Sequence, residues 1–531
     1  MLIFIPMAGA GARYRRAGYD LPKPLIPVDG EPMIARVLAA YPADARFLFG
    51  INRQDAQAGV LPDLLAKLRP DAAVAVIEPH KDGPIQTVLS CAHQIPDEDD
   101  VLLGYCDFGV DWSFAAFSKW LRAGDWDCAM TAYKGFHPHS LGPTLYAYMR
   151  NEGDQVTEIR EKFHFTENKF AEYASSGLYW FRHGRDLKRI AAELVLSGER
   201  VNGEYYVSMA VQRLVSSGGR VGVYELAHFY QWGTPEDLRD YEGWALAMRR
   251  LEAFCRDAGA ARSNASLVVP MAGRGQRFVD QGYAVPKALI DVSGRPMVVQ
   301  AMACLPRTTS RVLVALSDHV RELESSLRVC GGGAATRIVR VDQITQGQAC
   351  TAGLATSELS GDRPVLIAPC DTGCVYDVER WTAIERAAGS PGADGADLIV
   401  FTARGHLPAL WRPSMYGWAA VTAEGRVAAV RVKELVPDIA ANDQEVIVGT
   451  FWFRDVATYN RELKAMIAAD DRVRGEYYVD TIARRMVEKG ARVRAFSVDK
   501  YMPWGTPEEL KTFFYWNDVF RGGAPFPQVH V

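Results

Sequence analysis

Short runs of Val, Ile, Leu and Phe alternate along this chain with longer segments whose apolar residues recur at helical spacing. In the first half the runs are LIFIPMAG (2–9), ARFLFGI (45–51), AAVAVIE (72–78) and DVLLGYCD (100–107). In the second they are SLVVPMAG (266–273), RVLVALS (311–317) and RPVLIAPCD (363–371). Runs this short and this apolar predict strands buried on both faces, with helices between them. The alternation predicts an α/β fold: mainly parallel mixed sheets flanked by helices. In such sheets ligands bind beyond the carboxyl ends of the strands. PEDLRDYEGWALAMRRLEAFC (235–255) follows a Thr-Pro start and predicts a helix, and the residues after WGTPEEL predict a second.

The pattern occurs twice. IPMAGAGARYRRAGYDLPKPLIPVDGEPM at the N-terminus has a near-copy, VPMAGRGQRFVDQGYAVPKALIDVSGRPM, displaced by 264 residues (Pro6 to Pro270). The same offset pairs Gly83 with Gly347, Cys106 with Cys370 and Asp107 with Asp371. Further on the offset is 272, pairing GEYYV (203–207) with GEYYV (475–479) and WGTPED (232–237) with WGTPEE (504–509). Ordered matches over so long a period mean a duplicated domain and not a solenoid. We expect a first domain over 1–256, a small polar linker over 257–265 and a second domain over 266–531.

Composition narrows the class. The 531 residues exceed one ordinary core, and 48% hydrophobic with 23% charged residues is typical of globular protein. Lys and Arg number 60 against 64 Asp and Glu, a net charge of −4, so no basic field favours nucleic acid or an anionic membrane. Nine cysteines without a CxxC pair fit a reduced cytoplasmic compartment. No apolar run reaches the roughly 18 residues of a membrane helix. The apolar N-terminus lacks a basic leader, and its internal copy marks it as a strand.

The chemistry lies in the loops after these strands. Ala8, Gly9 and Gly11, with Ala272, Gly273 and Gly275 in the repeat, form a loop whose backbone N–H groups can face oxyanions. Arg13 and Arg277 follow, then Lys23 and Lys287 in a Pro-Lys pair. A guanidinium fork and an ammonium beside a Gly loop suit a polyphosphate. The spacing is neither the dinucleotide fingerprint nor the Walker loop. The plainer alternative is a tight turn with solvated cations, which its occurrence in both halves disfavours.

These motifs resemble the signature of the sugar-1-phosphate nucleotidyltransferases, or nucleotide-sugar pyrophosphorylases, and more narrowly capsule- and exopolysaccharide-locus members ending in QWGTPEDL. The resemblance spans nearly all of both copies. It implies two tandem Rossmann-like nucleotide-diphospho-sugar transferase domains, with NTP and sugar-phosphate substrates and pyrophosphate as product. It implies Mg²⁺ on Asp107 and Asp371, for which the alternative is a helix cap. It implies sugar contacts from Glu161 and a sugar-phosphate contact from Lys162, with Lys433 matching Lys162 but Val432 standing where the Glu belongs. Gly177 and Gly449 fall at the family's sugar pocket, Glu204 and Glu476 where a Glu opens a helix, and Gly83 and Gly347 in the loop framing the base.

One departure is plain. Where the family has Asp in D-x-G-T, this chain has Gln231 and Pro503. Either one carboxylate suffices, another acid substitutes, or activity is impaired. His137 and His139 lie near Cys128 without metal-ligand spacing, and Cys106 and Cys370 read as buried packing. Three further readings stand beside a pair of active transferases. One copy is catalytic and the other regulatory, with the first favoured by its intact Glu161-Lys162 pair. The whole is a nucleotide-sugar-binding sensor. Or it is a glycosyltransferase, which the lack of D-x-D disfavours.

Overall fold

Leu2–Met7 is buried along almost its whole length, as expected of a strand with neighbours on both edges and helices on both faces. In this computed structural model, which describes residues 1–255, 261–329, 335–390 and 395–521, it pairs in parallel with Arg46–Asn52 on one side and Val101–Leu103 on the other. The first sheet has nine strands. They run Ala73–Ile77, Arg46–Asn52, Leu2–Met7, Val101–Leu103, Tyr173–Phe181, Cys128–Tyr133, Val221–Glu225, Gln155–Arg160, Tyr148–Glu152. Tyr173–Phe181 is the antiparallel insertion, pairing with Val101–Leu103 and Cys128–Tyr133. It bulges between Ser175 and Tyr179, and Gly177 sits in that bulge.

The second sheet repeats this order as Ala335–Val341, Ser310–Leu316, Ser266–Met271, Val365–Ile367, Glu445–Phe453, Leu398–Ala403, Val493–Ser497. The hairpin Gly417–Val421 and Val427–Val432 pairs onto Glu445–Phe453. Successive residues of Ser266–Met271 face opposite cores. Val268 packs among Ala349, Ala352, Tyr459 and Ile482, whereas Leu267 and Val269 join Val298, Leu323 and Trp381.

Each unit also carries a two-stranded ribbon off the main sheet. Phe108–Asp111 pairs with His228–Gln231, and Thr372–Val375 with Lys500–Pro503. This explains a difference from the sequence expectation. The strand expected to run to Asp107 stops at Leu103, because the chain leaves the main sheet to enter the ribbon.

Residues 1–242 and 243–531 form two compact units, and the division falls within the helix Pro235–Cys255. Residues 257–260 of the expected linker lie outside the described residues. No helix among the described residues is long and apolar enough to cross a membrane.

Candidate active site

The opening strand delivers the chain through buried Ala8 and exposed Gly9 to Gly11, which takes a left-handed φ of 60° and caps the helix Ala12–Arg16. Gly275 does the same at φ 65° before Gln276–Val279. A Cβ on Gly275 would stand 2.7 Å from the Lys287 Cβ, and one on Gly11 would stand 3.6 Å from that of Lys23. Handedness thus requires glycine at both positions, and at Gly275 the passage of Lys287 requires it too. Arg13 and Arg277 are exposed, and no carboxylate among the described residues lies within ion-pairing distance of either. Tyr14 is buried and donates to the carbonyls of Trp232 (2.6 Å) and Thr234 (2.9 Å), which ties this loop to the WGT turn.

Pro22 and Pro286 set the entry to two matching 3₁₀ turns that begin at Lys23 and Lys287. The Lys23 Nζ lies 2.5 Å from Asp107 Oδ2 and 3.0 Å from the Gly233 carbonyl. Lys287 makes the equivalent ion pair with Asp371. Burial pulls the Lys287 ammonium down, but the Asp371 carboxylate overrides it and holds the group above its ordinary range. The ribbons fix the aspartates, since Trp232 N–H donates to the Asp107 carbonyl (2.9 Å) and Trp504 N–H to that of Asp371 (2.8 Å).

Gln231 stands opposite Phe108 in its ribbon, and Pro503 opposite Thr372. The Gln231 side-chain amide is buried and has no hydrogen-bond partner at either end. Sequence reasoning stopped at these two positions. The structure brings up an acid six residues further on. A Cβ on Gly233 would lie 3.6 Å from Asp107 Oδ2 and 3.8 Å from Asp237 Oδ2. A Cβ on Gly505 would lie 3.1 Å from Asp371 Oδ2 and 3.2 Å from Glu509 Oε2. Two carboxylates thus flank one small residue in each copy. The available signal was the repeated acid that ends WGTPED and WGTPEE.

Their surroundings differ. Asp237 exchanges capping hydrogen bonds with Thr234 (3.1 Å each way) and meets His139 Nε2 at 2.7 Å. Burial alone would raise its carboxyl, but His139 and Thr234 outweigh that and hold it below the usual range. Glu509 accepts from the Tyr416 hydroxyl at 2.9 Å. Burial, reinforced by the Asp371 charge, keeps its carboxyl above the usual range. Among the described residues no group of three or more His, Cys, Asp or Glu side chains could hold a metal alone. Two adjacent oxygen donors fit Mg²⁺, which keeps waters and shares substrate phosphates.

On the acceptor side, Lys162 and Lys433 adopt the same left-handed backbone, at φ 55° and 63°. Lys162 Nζ donates to the Tyr206 hydroxyl at 2.8 Å and lies over that ring, and Lys433 lies over Tyr478. Glu161 accepts from Ser208 at 2.5 Å, and burial raises its carboxyl despite that bond and the Lys162 charge. Glu434 instead lies exposed, 3.8 Å from Arg431. The loop of Gly83 is knitted to the GEYY turn by Tyr205 N–H to Asp82 (2.8 Å), and that of Gly347 by Tyr477 N–H to Gln346 (2.9 Å). Glu204 and Glu476 close turns with Val201 and Val473, ahead of helices capped by Tyr206 and Tyr478. Gly449 occupies the strand position of Gly177.

Burial, with the adjacent aspartate charge, pushes the Cys106 and Cys370 thiols up to about 12, so neither is a thiolate nucleophile. His137 is buried, its Nε2 3.0 Å from the Phe229 carbonyl. His406 packs between Tyr416 and Tyr501 with a partnerless Nε2, and burial, reinforced by Lys500, lowers it to about 3. A buried imidazole that stays neutral loses stability as pH falls below its unfolded value near 6.5, because the unfolded chain then binds the extra proton. His406→Phe should therefore stabilise the protein by about 2 kcal/mol more at pH 5 than at pH 7.5. Paired thermal melts at the two pH values check this. An equal shift at both would place the histidine's cost in packing alone.

A family model described as the MobA-like NTP transferase domain matches residues 3–160 and again 267–437. The protein described as Bifunctional protein GlmU of Rhodopseudomonas palustris (strain BisB5) is 29% identical over 263 residues, which is 49% of this chain and 55% of that protein. The protein so described in Bradyrhizobium sp. (strain ORS 278) is 27% identical over 259 residues, with the same shares. The chain thus spans about half the length of the curated relatives it matches. Among solved structures, the nucleoside-diphosphate-sugar pyrophosphorylase from Vibrio cholerae RC9 aligns at a TM-score of 0.39 and 20% identity, over 45% of this chain and 98% of that one. The inositol-1-phosphate CTP transferase from T. maritima aligns at 0.37 and 16%, over 50% and 99%.

Proposed function

Because the chain belongs to the MobA-like NTP transferase domain family through both of its halves, we propose that it transfers a nucleotidyl group from an NTP to a sugar 1-phosphate or sugar-like alcohol phosphate. Pyrophosphate is released, and the activated sugar supplies surface polysaccharide synthesis in the cytoplasm. The domains are proposed as 1–256 and 266–531, each with its own site. The observation that carries this reading is the twice-built junction of Gly loop, unpaired arginine and lysine–aspartate pair. It gathers the charges that two meeting phosphates require.

In the first site the loop of Ala8, Gly9 and Gly11 receives the β- and γ-phosphates, with Arg13 closing on their oxygens. An acceptor phosphate oxygen attacks the α-phosphorus in line, and the bond to the bridging oxygen breaks with its electron pair leaving on pyrophosphate. Lys23 sits where that charge develops, and Lys162 holds the acceptor phosphate. Glu161, Gly177 and Glu204 line the acceptor's hydroxyl side, and Gly83 frames the base. Bound at Asp107 with Asp237 beside it, Mg²⁺ would neutralise phosphate charge and polarise the phosphoryl oxygens. In the second site Ala272, Gly273, Gly275, Arg277, Lys287, Gly347, Asp371, Lys433, Gly449 and Glu476 take the matching places.

Pyrophosphate release from each of CTP, UTP, GTP, dTTP and ATP with Mg²⁺, against a panel of sugar 1-phosphates and polyol phosphates, tests the reading. Acceptor-dependent release with one nucleotide is expected. Nucleotide binding with no release from any pair would overturn it in favour of a sensor.

A further inference from the structure

Val432 stands where the first copy has Glu161, yet the second pocket does not lack a carboxylate. The helix Val479–Glu488 repeats Val207–Ser216 at an offset of 272, with Tyr478 and Tyr206 as matching caps. Ser208, the residue that donates to Glu161, is therefore matched by Asp480. The hairpins repeat too. Arg160 pairs with Tyr148, which sets Glu161 against Ala147, whereas Val432 pairs with Gly417. A Cβ on Gly417 would fall 2.2 Å from Asp480 Oδ1, so the carboxylate occupies the space that the buried Ala147 methyl fills in the first copy.

Three differences thus form one exchange: Glu161 to Val432, Ser208 to Asp480 and Ala147 to Gly417. The acid moves from strand to helix, and a glycine opposite makes room for it. Its charge acts on Lys433, which lies over Tyr478 and also feels Arg277, Arg474 and Glu509. Lys433 spends one N–H on the Met415 carbonyl. Asp480 is partly exposed, and no side chain among the described residues donates a hydrogen bond to it. Decay would leave an apolar gap at the lost acid. Here a carboxylate has been built in beside the retained lysine.

We propose that Asp480 is the hydroxyl-reading carboxylate of the second acceptor pocket, serving from the helix as Glu161 serves from the strand, and that the second site takes a different polyhydroxylated phosphate ester from the first. This rests on the reading of both copies as nucleotidyl-transfer sites. With Lys433 on the acceptor phosphate, an acid entering from the other side meets a different hydroxyl of the ligand.

The test uses the full chain carrying Lys23→Ala, which silences the first site, with the same acceptor panel. Asp480→Asn should lower kcat/KM for the acceptor by about ten- to a hundredfold, as loss of a charged hydrogen bond does, while the KM for NTP stays within about twofold. Val432→Glu/Asp480→Ser/Gly417→Ala should turn acceptor preference toward that of the first copy. An unchanged acceptor KM in Asp480→Asn, or equal loss for both substrates, overturns the proposal. If the Lys23→Ala chain releases no pyrophosphate, the catalytic reading of the second copy fails separately, and calorimetric titration of the panel into Lys23→Ala/Lys162→Ala then decides. An acceptor bound there and lost with Asp480→Asn supports the proposal. Equal affinity, or no binding of any panel member, overturns it.

Discussion

Lys23→Ala should lower turnover at the first site by about a thousandfold or more, and Lys287→Ala should leave that site untouched. The lysine is the cation nearest to both Asp107 and the WGT turn, with its side chain one-fifth exposed. A preorganised charge aimed at a developing anion is worth about 10²–10³ in rate. Its removal here costs more, because Asp107 loses its ion-pair partner and the Gly233 carbonyl its donor as well. Lys23→Arg should rescue poorly. The guanidinium is broader, and the turn that carries the lysine passes close against Gly11. Rates for the two alanine variants with each productive pair, beside their melting temperatures, make the comparison. Full first-pair activity in Lys23→Ala would remove the lysine from catalysis. Loss of that activity in Lys287→Ala alone would move the chemistry to the second copy.

Much of this was legible in the sequence because the signals were local. Leu2–Met7 and Ser266–Met271 are strands for the reason their apolar runs announced, and the helix at Pro235 starts where its Thr-Pro signal placed it. The duplication read from Pro6 and Pro270 reappears in the family matches, whose starts at 3 and 267 lie 264 apart. Lys23 and Asp107 are 84 residues apart, yet both were found because each recurs beside its own glycine or strand. What stayed hidden depends on contacts between distant segments. The sequence pointed to Gln231 and Pro503 as the place of a missing acid. It could not show that a ribbon and a helix start carry Asp237 and Glu509 to Asp107 and Asp371. Nor could it show Asp480 opposite Gly417, since that juxtaposition exists only once a helix docks on a hairpin. Strand length was misjudged at Leu103 for a similar reason, because the ribbon partner lies more than a hundred residues downstream.

Asp107→Asn separates charge from shape and should cost the first site about a thousandfold in kcat at a fixed Mg²⁺ concentration. The amide oxygen still accepts from Lys23, so the turn keeps its hydrogen bond, but the anion that would hold a divalent cation is gone. Asp237→Asn should be milder, about tenfold, and should raise the Mg²⁺ concentration needed for half-maximal rate, because Asp107, which also holds Lys23, keeps its charge. The two copies should also part company in acid. His139 and Thr234 keep Asp237 ionised below the usual carboxylate range, whereas burial and the Asp371 charge make Glu509 hold its proton to higher pH. As pH falls, the pair at Asp371 therefore loses its second negative charge first. Rate–pH profiles of Lys287→Ala and Lys23→Ala, which isolate the first and second sites, should show the acid limb of the second site at the higher pH. Glu509→Gln should remove that difference in the second site, since its amide cannot titrate. Coincident acid limbs in the two profiles, or an unchanged Mg²⁺ dependence in Asp237→Asn, would show that these carboxylates do not carry the cation.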